Sequence, residues 1–318
     1  MIHNQDADSQ IDTHEAQAFL TQKLGLACAN VALIGEGAWS RCFGFRLGEA
    51  ELVIRFGRYL DDFEKDRLAH RYATPDLPIP EVIDIGTTEA GYFAISTRVH
   101  GTPLENISAA QWPVIVPSLA AAMEALRTAD ISATTGFGGW GRDGNATEAT
   151  WSGHLLAVAV DAPDRRTYGW RKRLATFSPQ GEAAFTWGYE LLQKVVTDAV
   201  PRCLLHCDLI NRNVLVNEAK IAGVFDWGCS IYGDHLYELA WFEFWAPWMP
   251  QLDVSLLRSE LEKRWQAAGY APPKKAERLA ACYLHIGLDH LAYNAYLGDW
   301  ETLLATAERM EVLVTAVR

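Results

Sequence analysis

Hydrophobic positions along the chain change period near residue 100: up to there they follow strand spacing after one short helix, and beyond it they follow helical spacing with a single strand-rich island. Asp12-Thr13-His14-Glu15 has the spacing of a capping box, and Ala16, Phe19, Leu20 and Leu24 then recur at helical intervals until Gly25 ends the run. Three short antiparallel strands are predicted next. They cover 31–35, then 41–47, where Phe43, Phe45 and Leu47 alternate, then 52–56 after the Gly48-Glu49 turn. A charged helix is expected over 61–73, ended by the region of Pro75, Pro78 and Pro80, and strands over 81–86 and 92–99 complete a five-stranded sheet.

From Gly101 onward helices are predicted over 108–128, 183–199, 234–245, 252–267, 273–297 and 300–317. Gly136 to Gly144 reads as a glycine-dense loop, and no repeat or low-complexity tract interrupts the chain. The period change therefore predicts an α+β fold with a five-stranded antiparallel lobe over 1–101 and a mainly helical lobe over 102–318.

Composition narrows the partners. A chain of 318 residues that is 49% apolar can bury a large core without disulfides. The six cysteines (Cys28, Cys42, Cys203, Cys207, Cys229, Cys282) lack Cys-x-x-Cys spacing and read as reduced, packed thiols. The polar, acidic first ten residues do not resemble a signal peptide, and the most apolar stretch, 114–123, is broken by Pro117 and far short of the ~20 residues that span a bilayer. A cytoplasmic location without membrane contact is expected. The net charge of −12 argues against a nucleic-acid partner and favours cationic ones. It does not locate them, because residues 1–101 hold 15 acids and 9 bases and residues 102–318 hold 25 and 19, a net −6 in each part.

The chemistry is concentrated in Leu204-Leu-His-Cys-Asp-Leu-Ile-Asn-Arg-Asn-Val-Leu-Val216 and Ile221-Ala-Gly-Val-Phe-Asp-Trp-Gly228. These contain His206-x-Asp208-x4-Asn213 and then Asp226-x-Gly228. Phosphoryl transfer needs a carboxylate that orients the attacking hydroxyl and accepts its proton, plus an amide oxygen and a second carboxylate that hold Mg²⁺ on the nucleotide phosphates. Asp208, Asn213 and Asp226 supply them in that order, and the apolar 214–216 and 224–225 should form a hairpin that fixes their spacing. In the first lobe, Gly35 to Ser40 lies between two strands, where backbone N–H groups and the Ser40 hydroxyl can approach phosphate oxygens. Strand alternation puts Val53 and Arg55 on one face and Leu52, Ile54 and Phe56 on the other, so Arg55 can point into a cleft. Its acidic partner should come from the following helix, where Asp62, Glu64 and Asp66 compete.

With these motifs, and with Leu77-Pro-Ile-Pro-Glu-Val-Ile-Asp-Ile-Gly86, Thr135-Gly-Phe-Gly138, Phe225-Asp-Trp-Gly-Cys229, Phe244-Trp-Ala-Pro-Trp248 and Ile286-Gly-Leu-Asp289, nearly the whole chain resembles the aminoglycoside phosphotransferase family. These are small-molecule kinases with a bilobal protein-kinase-like fold, and the likeness is greatest to those that phosphorylate hygromycin B at the 4-hydroxyl. The resemblance implies transfer of a γ-phosphoryl group from a Mg²⁺-bound ATP or GTP to a hydroxyl of a small cationic aminoglycoside, conferring resistance. It implies Asp208 as base, Asn213 and Asp226 as metal ligands, and Asp66 as the partner of Arg55, which stands where the family usually has Lys. It implies a hinge at 97–101 whose Thr97 and Val99 backbone groups bind the purine. His206 would support the loop, and Asp234 and Glu238 would support it or cap the helix they begin. Cys207 replaces the family's usual Gly and reads as a small buried filler.

Only five residues separate Gly228 from Asp234, which leaves no room for the long activation segment of a protein kinase. The acceptor is therefore small, and a monomer is expected. Trp241 and Trp245, with Asp289 and Tyr293, offer aromatic faces and a carboxylate to a polycationic sugar, although Trp241, Trp245 and Trp248 also have the spacing of a core-facing stripe. Alternatives are a kinase of another aminoglycoside, a macrolide, choline or an amino alcohol, a nucleotide-binding pseudokinase scaffold, and an interaction protein docking through exposed tryptophans.

Overall fold

In the computed structural model, which describes residues 11–25, 28–37 and 40–317, helix α1 (Thr13–Leu24) precedes strands β1 (Cys28–Glu36), β2 (Ser40–Leu47) and β3 (Ala50–Gly57). Helix α2 (Leu60–Ala69) and strands β4 (Val82–Thr88) and β5 (Gly91–Thr97) follow. α1 begins where its capping box predicts, since the Asp12 and Glu15 side chains each accept the other's backbone N–H at 2.8 Å. The five strands form one antiparallel sheet in the order β1-β2-β3-β5-β4. One face buries Phe43, Phe45, Ile54, Phe56, Phe93 and Ile95 against Ala16 and Leu20 of α1. Alternation turns Cys42, Arg55 and Ala94, which share one register row, to the opposite face.

α2 is shorter than its sequence pattern predicts. It stops at Ala69 and tightens into a 3₁₀ turn over His70–Tyr72, before any proline is reached. Thr74 and Leu77 exchange backbone hydrogen bonds just beyond, and the His70 ring bonds the Ile79 carbonyl at 2.8 Å, so a local turn ends the helix rather than the prolines.

The remainder comprises β6 (Thr102–Pro103), α3 (Trp112–Thr128), β7 (Phe137–Trp140), β8 (Ala146–Glu148), α4 (Trp151–Leu156), α5 (Trp170–Phe177) and α6 (Pro179–Val195). Then come β9 (Cys203–Leu205), β10 (Val214–Asn217), β11 (Lys220–Val224), β12 (Ile231–Gly233), α7 (Leu236–Trp245), α8 (Val254–Ala267), α9 (Lys275–Leu297) and α10 (Trp300–Val317). The long helix α9 is the hub, with α5, α6, α7 and α10 packed on it. Trp112, Trp140, Trp151, Trp170 and Trp227 are all fully buried in the same core.

Three departures from the sequence reading have local causes. α3 starts at Trp112, not Ser108, because Ser108 and Gln111 close a turn ahead of it. α6 starts at Pro179 with Ser178 capping Gly181, four residues before the apolar periodicity begins, because proline is tolerated at a first helical position. The glycine-dense 136–144 segment contains strand β7, paired with both β8 and β12. Its glycines serve close approach: at Gly136 and Gly138, both with positive φ, an added Cβ would lie 2.0 Å from the Ala146 carbonyl oxygen and 2.4 Å from the His154 ring. No helix among the described residues is long and apolar enough to cross a membrane.

Candidate active site

Strand β9 ends in a loop whose backbone is bent by positive φ at Cys207, Asn211 and Arg212. The loop is held from below and from the side. Glu238, buried in the first turn of α7, accepts the backbone N–H groups of both His206 and Cys207 on Oε1. Burial pushes its carboxyl up to about 7. The His206 ring is fully buried, and burial lowers its pKa to about 4, so it is neutral. Its Nδ1 accepts the Asp208 N–H at 3.2 Å and its Nε2 donates to the Phe225 carbonyl at 3.1 Å. One imidazole thus joins the Asp208 loop to the segment carrying Asp226.

Asp208 is gripped by two amides. Asn211 Nδ2 donates to Oδ1 at 2.7 Å and Asn213 Nδ2 to Oδ2 at 2.9 Å. Burial pushes the Asp208 carboxyl up to about 7, against those hydrogen bonds and with the Asp226 charge adding to the rise. Asn213 also donates to the Asp208 carbonyl at 2.9 Å, so its nitrogen is committed and its amide oxygen is what it can offer a cation. β10 and β11 form the expected hairpin, and Phe225 N–H bonds the Asn213 carbonyl at 3.0 Å, which ties the Asn213 backbone to that preceding Asp226.

Of the three acids competing for Arg55, the structure selects Asp66, which forms a tight ion pair with the guanidinium. Asp62 instead pairs with Arg166, and Glu64 with Arg67. The second guanidinium nitrogen of Arg55 lies 3.3 Å from Asp226. Burial acts to lower the Arg55 pKa, but the carboxylates of Asp66 and Asp226 raise it on balance, so it stays charged. Asp66 further accepts the Trp227 N–H at 2.7 Å. Ser40 lies on the same face of β2 as Cys42, which pairs with Arg55, while Ala38 and Trp39 of the expected phosphate loop fall outside the described residues. At the expected hinge, Thr97 N–H is taken by the Glu81 carbonyl and Arg98 N–H by that of Glu51. The Val99 side chain packs over Gly223 of β11, close to the chain that leads to Asp226.

The residues expected to meet the acceptor lie on α7 and α9. Asp289 is exposed and Tyr293, one turn on, is half-buried. Cys229, which the sequence reads as packed, is exposed. Trp241 is buried and Trp245 half-buried, both against the His290 ring, at 5.3 and 4.6 Å between centroids. Their indole N–H groups have no hydrogen-bond partner among the described residues. Asp234 departs from the loop-supporting alternative: it makes a buried bidentate pair with Arg278 and caps Leu236 at 3.0 Å, leaving the loop to Glu238. Sequence reasoning missed Lys65, Arg166 and His290, which stand in no spaced motif, and Asn211, which lies at an unassigned position inside the Asp208–Asn213 spacing. A cavity of about 670 Å³ lined by Arg71, Tyr72, Glu124, Asp130 and Arg264 lies apart from all of these groups.

Comparison with known proteins places this geometry. Residues 37–277 match the model of the phosphotransferase enzyme family. The chain is 30% identical over 308 residues to hygromycin-B 4-O-kinase of Escherichia coli, covering 96% of this chain and 86% of that protein. Among solved structures it is similar to aminoglycoside phosphotransferase APH(4)-Ia, with a TM-score of 0.81 and 29% identity over 96% of this chain and 99% of that one. A thermostable mutant of the same enzyme, in ternary complex with AMP-PNP and hygromycin B, gives a TM-score of 0.79 at 30% identity, covering 94% and 97%.

Proposed function

The chain belongs to the phosphotransferase enzyme family, and from that premise we propose that it transfers the γ-phosphoryl group of a purine nucleoside triphosphate, ATP or GTP, to a hydroxyl of hygromycin B. The observation that carries the reading is the grip of Asn211 and Asn213 on Asp208, in a loop tied through His206 to the segment of Asp226. A carboxylate held by both oxygens, with burial raising it to about 7, is oriented and basic enough to receive a hydroxyl proton.

In this reading the acceptor oxygen bonds to the γ-phosphorus as its proton passes to Asp208, and the bond to the β,γ-bridging oxygen breaks to release the diphosphate. Asn213 and Asp226 supply an amide oxygen and a carboxylate, the hard donors that Mg²⁺ prefers. Mg²⁺ would neutralise charge on the transferring phosphates. Arg55, anchored by Asp66, faces the same phosphates with Ser40, and the Thr97 carbonyl and Val99 amide read the purine edge. The hinge and the lobe boundary lie together near Gly101. Asp289, Tyr293, Trp241 and Trp245 are assigned to the cationic sugar. Trp241 is buried, whereas Trp248 and Trp187 are exposed, so the stripe is only partly core-facing.

A coupled assay of nucleoside-diphosphate release over hygromycin B, other aminoglycosides, macrolides and choline tests the reading. Turnover is expected with hygromycin B. Turnover with another acceptor but not hygromycin B would overturn the acceptor assignment, and Mg²⁺-nucleotide binding without turnover on any acceptor would favour a scaffold.

A further inference from the structure

Helix α2 turns Asp62, Lys65 and Asp66, at i, i+3 and i+4, toward the segment that follows Asp226. Asp66 accepts the Trp227 N–H, the first amide after Asp226. Lys65 Nζ donates to the carbonyl oxygens of Gly228 at 2.9 Å and Ser230 at 3.3 Å, and it sits 5.3 Å from the centroid of the buried Trp140 ring. No carboxylate pairs with Lys65 among the described residues, so its charge is offset by two carbonyl dipoles and an aromatic face. Withdrawing an ammonium from water for that purpose is costly, and a lysine with only a surface role would remain hydrated.

What Lys65 holds is a strained turn. Asp226 has φ +64, a left-handed conformation that an aspartate keeps only when its surroundings fix it. Asp66 fixes the amide on its C-terminal side, and Lys65 fixes the carbonyls two and four residues further on. We propose that Lys65 is a positioning residue for the phosphotransferase reaction: its ammonium clamps the Gly228–Ser230 backbone so that the Asp226 carboxylate is presented to the metal–nucleotide site, linking that carboxylate to the position of α2. The proposal rests on the phosphotransferase reading above and adds a residue that the reading does not use.

The test is calorimetric binding of AMP-PNP with and without Mg²⁺, alongside steady-state kinetics and thermal melting. Wild type is expected to bind more tightly with Mg²⁺. Absence of that effect in the wild type overturns the phosphotransferase reading itself. Lys65→Met keeps the apolar stem and removes the donors. It is expected to lose about 10-fold in Mg²⁺-dependent affinity and to lower kcat, with metal-free nucleotide affinity and the acceptor KM unchanged. Lys65→Arg, which restores charge and donors, is expected to recover part of the loss. Arg67→Ala, on the exposed side of α2 where Arg67 pairs with Glu64, is expected to match wild type. A Lys65→Met protein with a lowered Tm but wild-type Mg²⁺ dependence overturns the proposal. If Lys65→Met does not fold, Lys65→Gln is read by the same criteria.

Discussion

A residue that receives a proton works best when its pKa lies near the working pH. The sequence presents Asp208 as an ordinary, weakly basic aspartate; the fold changes that by half-burying it between Asn211 and Asn213, and no spacing rule carries burial. With the carboxyl raised to about 7 from an ordinary 3.8, Asp208 is protonated and unable to act below that pH. The acid limb of kcat/KM is therefore expected near pH 7, and Asp208→Ala should lower kcat about 10²- to 10⁴-fold while nucleotide still binds. Stability runs the other way. The unfolded chain ionises this group near 3.8 and the folded chain near 7, so the folded state holds the extra proton between them and loses stability as pH rises across that window. Asp208→Asn should flatten this part of the pH dependence, measured by denaturant unfolding from pH 4 to pH 8. Cys207 illustrates another residue-scale constraint. Its φ of +62 is a glycine conformation, and its thiol is buried with a pKa raised well above the usual value, so it is packing material and not a reactive group.

At the scale of elements, legibility follows length and period. The runs that became α9 and α10 extend over enough turns to be read directly, and β3 alternates along its length, whereas β2 buries three successive residues. The short α4 and α5, and β7 with its glycines, were illegible because tertiary partners define them: β7 is a strand through pairing with β12, nearly a hundred residues away. Asp208, Asn213 and Asp226 stood out because the chemistry demands fixed spacing along one hairpin. Lys65 did not, because its partners Gly228 and Ser230 lie more than 160 residues distant. Glu238 lies between these cases. Its helix was readable, but the choice between capping and supporting the loop was decided by which buried N–H groups it meets. Glu238→Ala would leave the His206 and Cys207 amides without an acceptor in a dry site. Folding should lose about 2–5 kcal/mol and turnover should fall more steeply than nucleotide affinity, read from unfolding curves and initial rates.

For the whole molecule, the change of hydrophobic period near Gly101 and the division of the cores do not coincide. Ala69, Tyr72, Leu77 and Ile79 precede the change, yet they pack into the large helical core and not against the sheet. α2 is therefore shared between the sheet, where it packs on β4 and β5, and the helical part, and its first turn is fastened to the latter as well. Arg142 pairs with Asp61 at 2.7 Å, and Arg166 meets Asp62 through two hydrogen bonds of 2.8 and 3.1 Å while lying 3.6 Å from the Tyr59 ring centroid. The two ties are unequal. The Arg142 pair is well over half exposed on both sides and is screened by solvent, whereas Asp62 is largely covered and its arginine is also stacked. Even so, Arg166 is itself about a third exposed, so solvent screening limits its worth to about 1 kcal/mol. Arg166→Ala should lower Tm by a few degrees in low salt, with the difference shrinking as salt rises, while Arg142→Ala should leave Tm unchanged. Thermal melting of both variants across a salt series checks this. Equal effects of the two substitutions would mean that the covered, stacked pair contributes no more than the solvated one, and that α2 is held to the helical part by Asp66, Lys65 and the packing of Ala69.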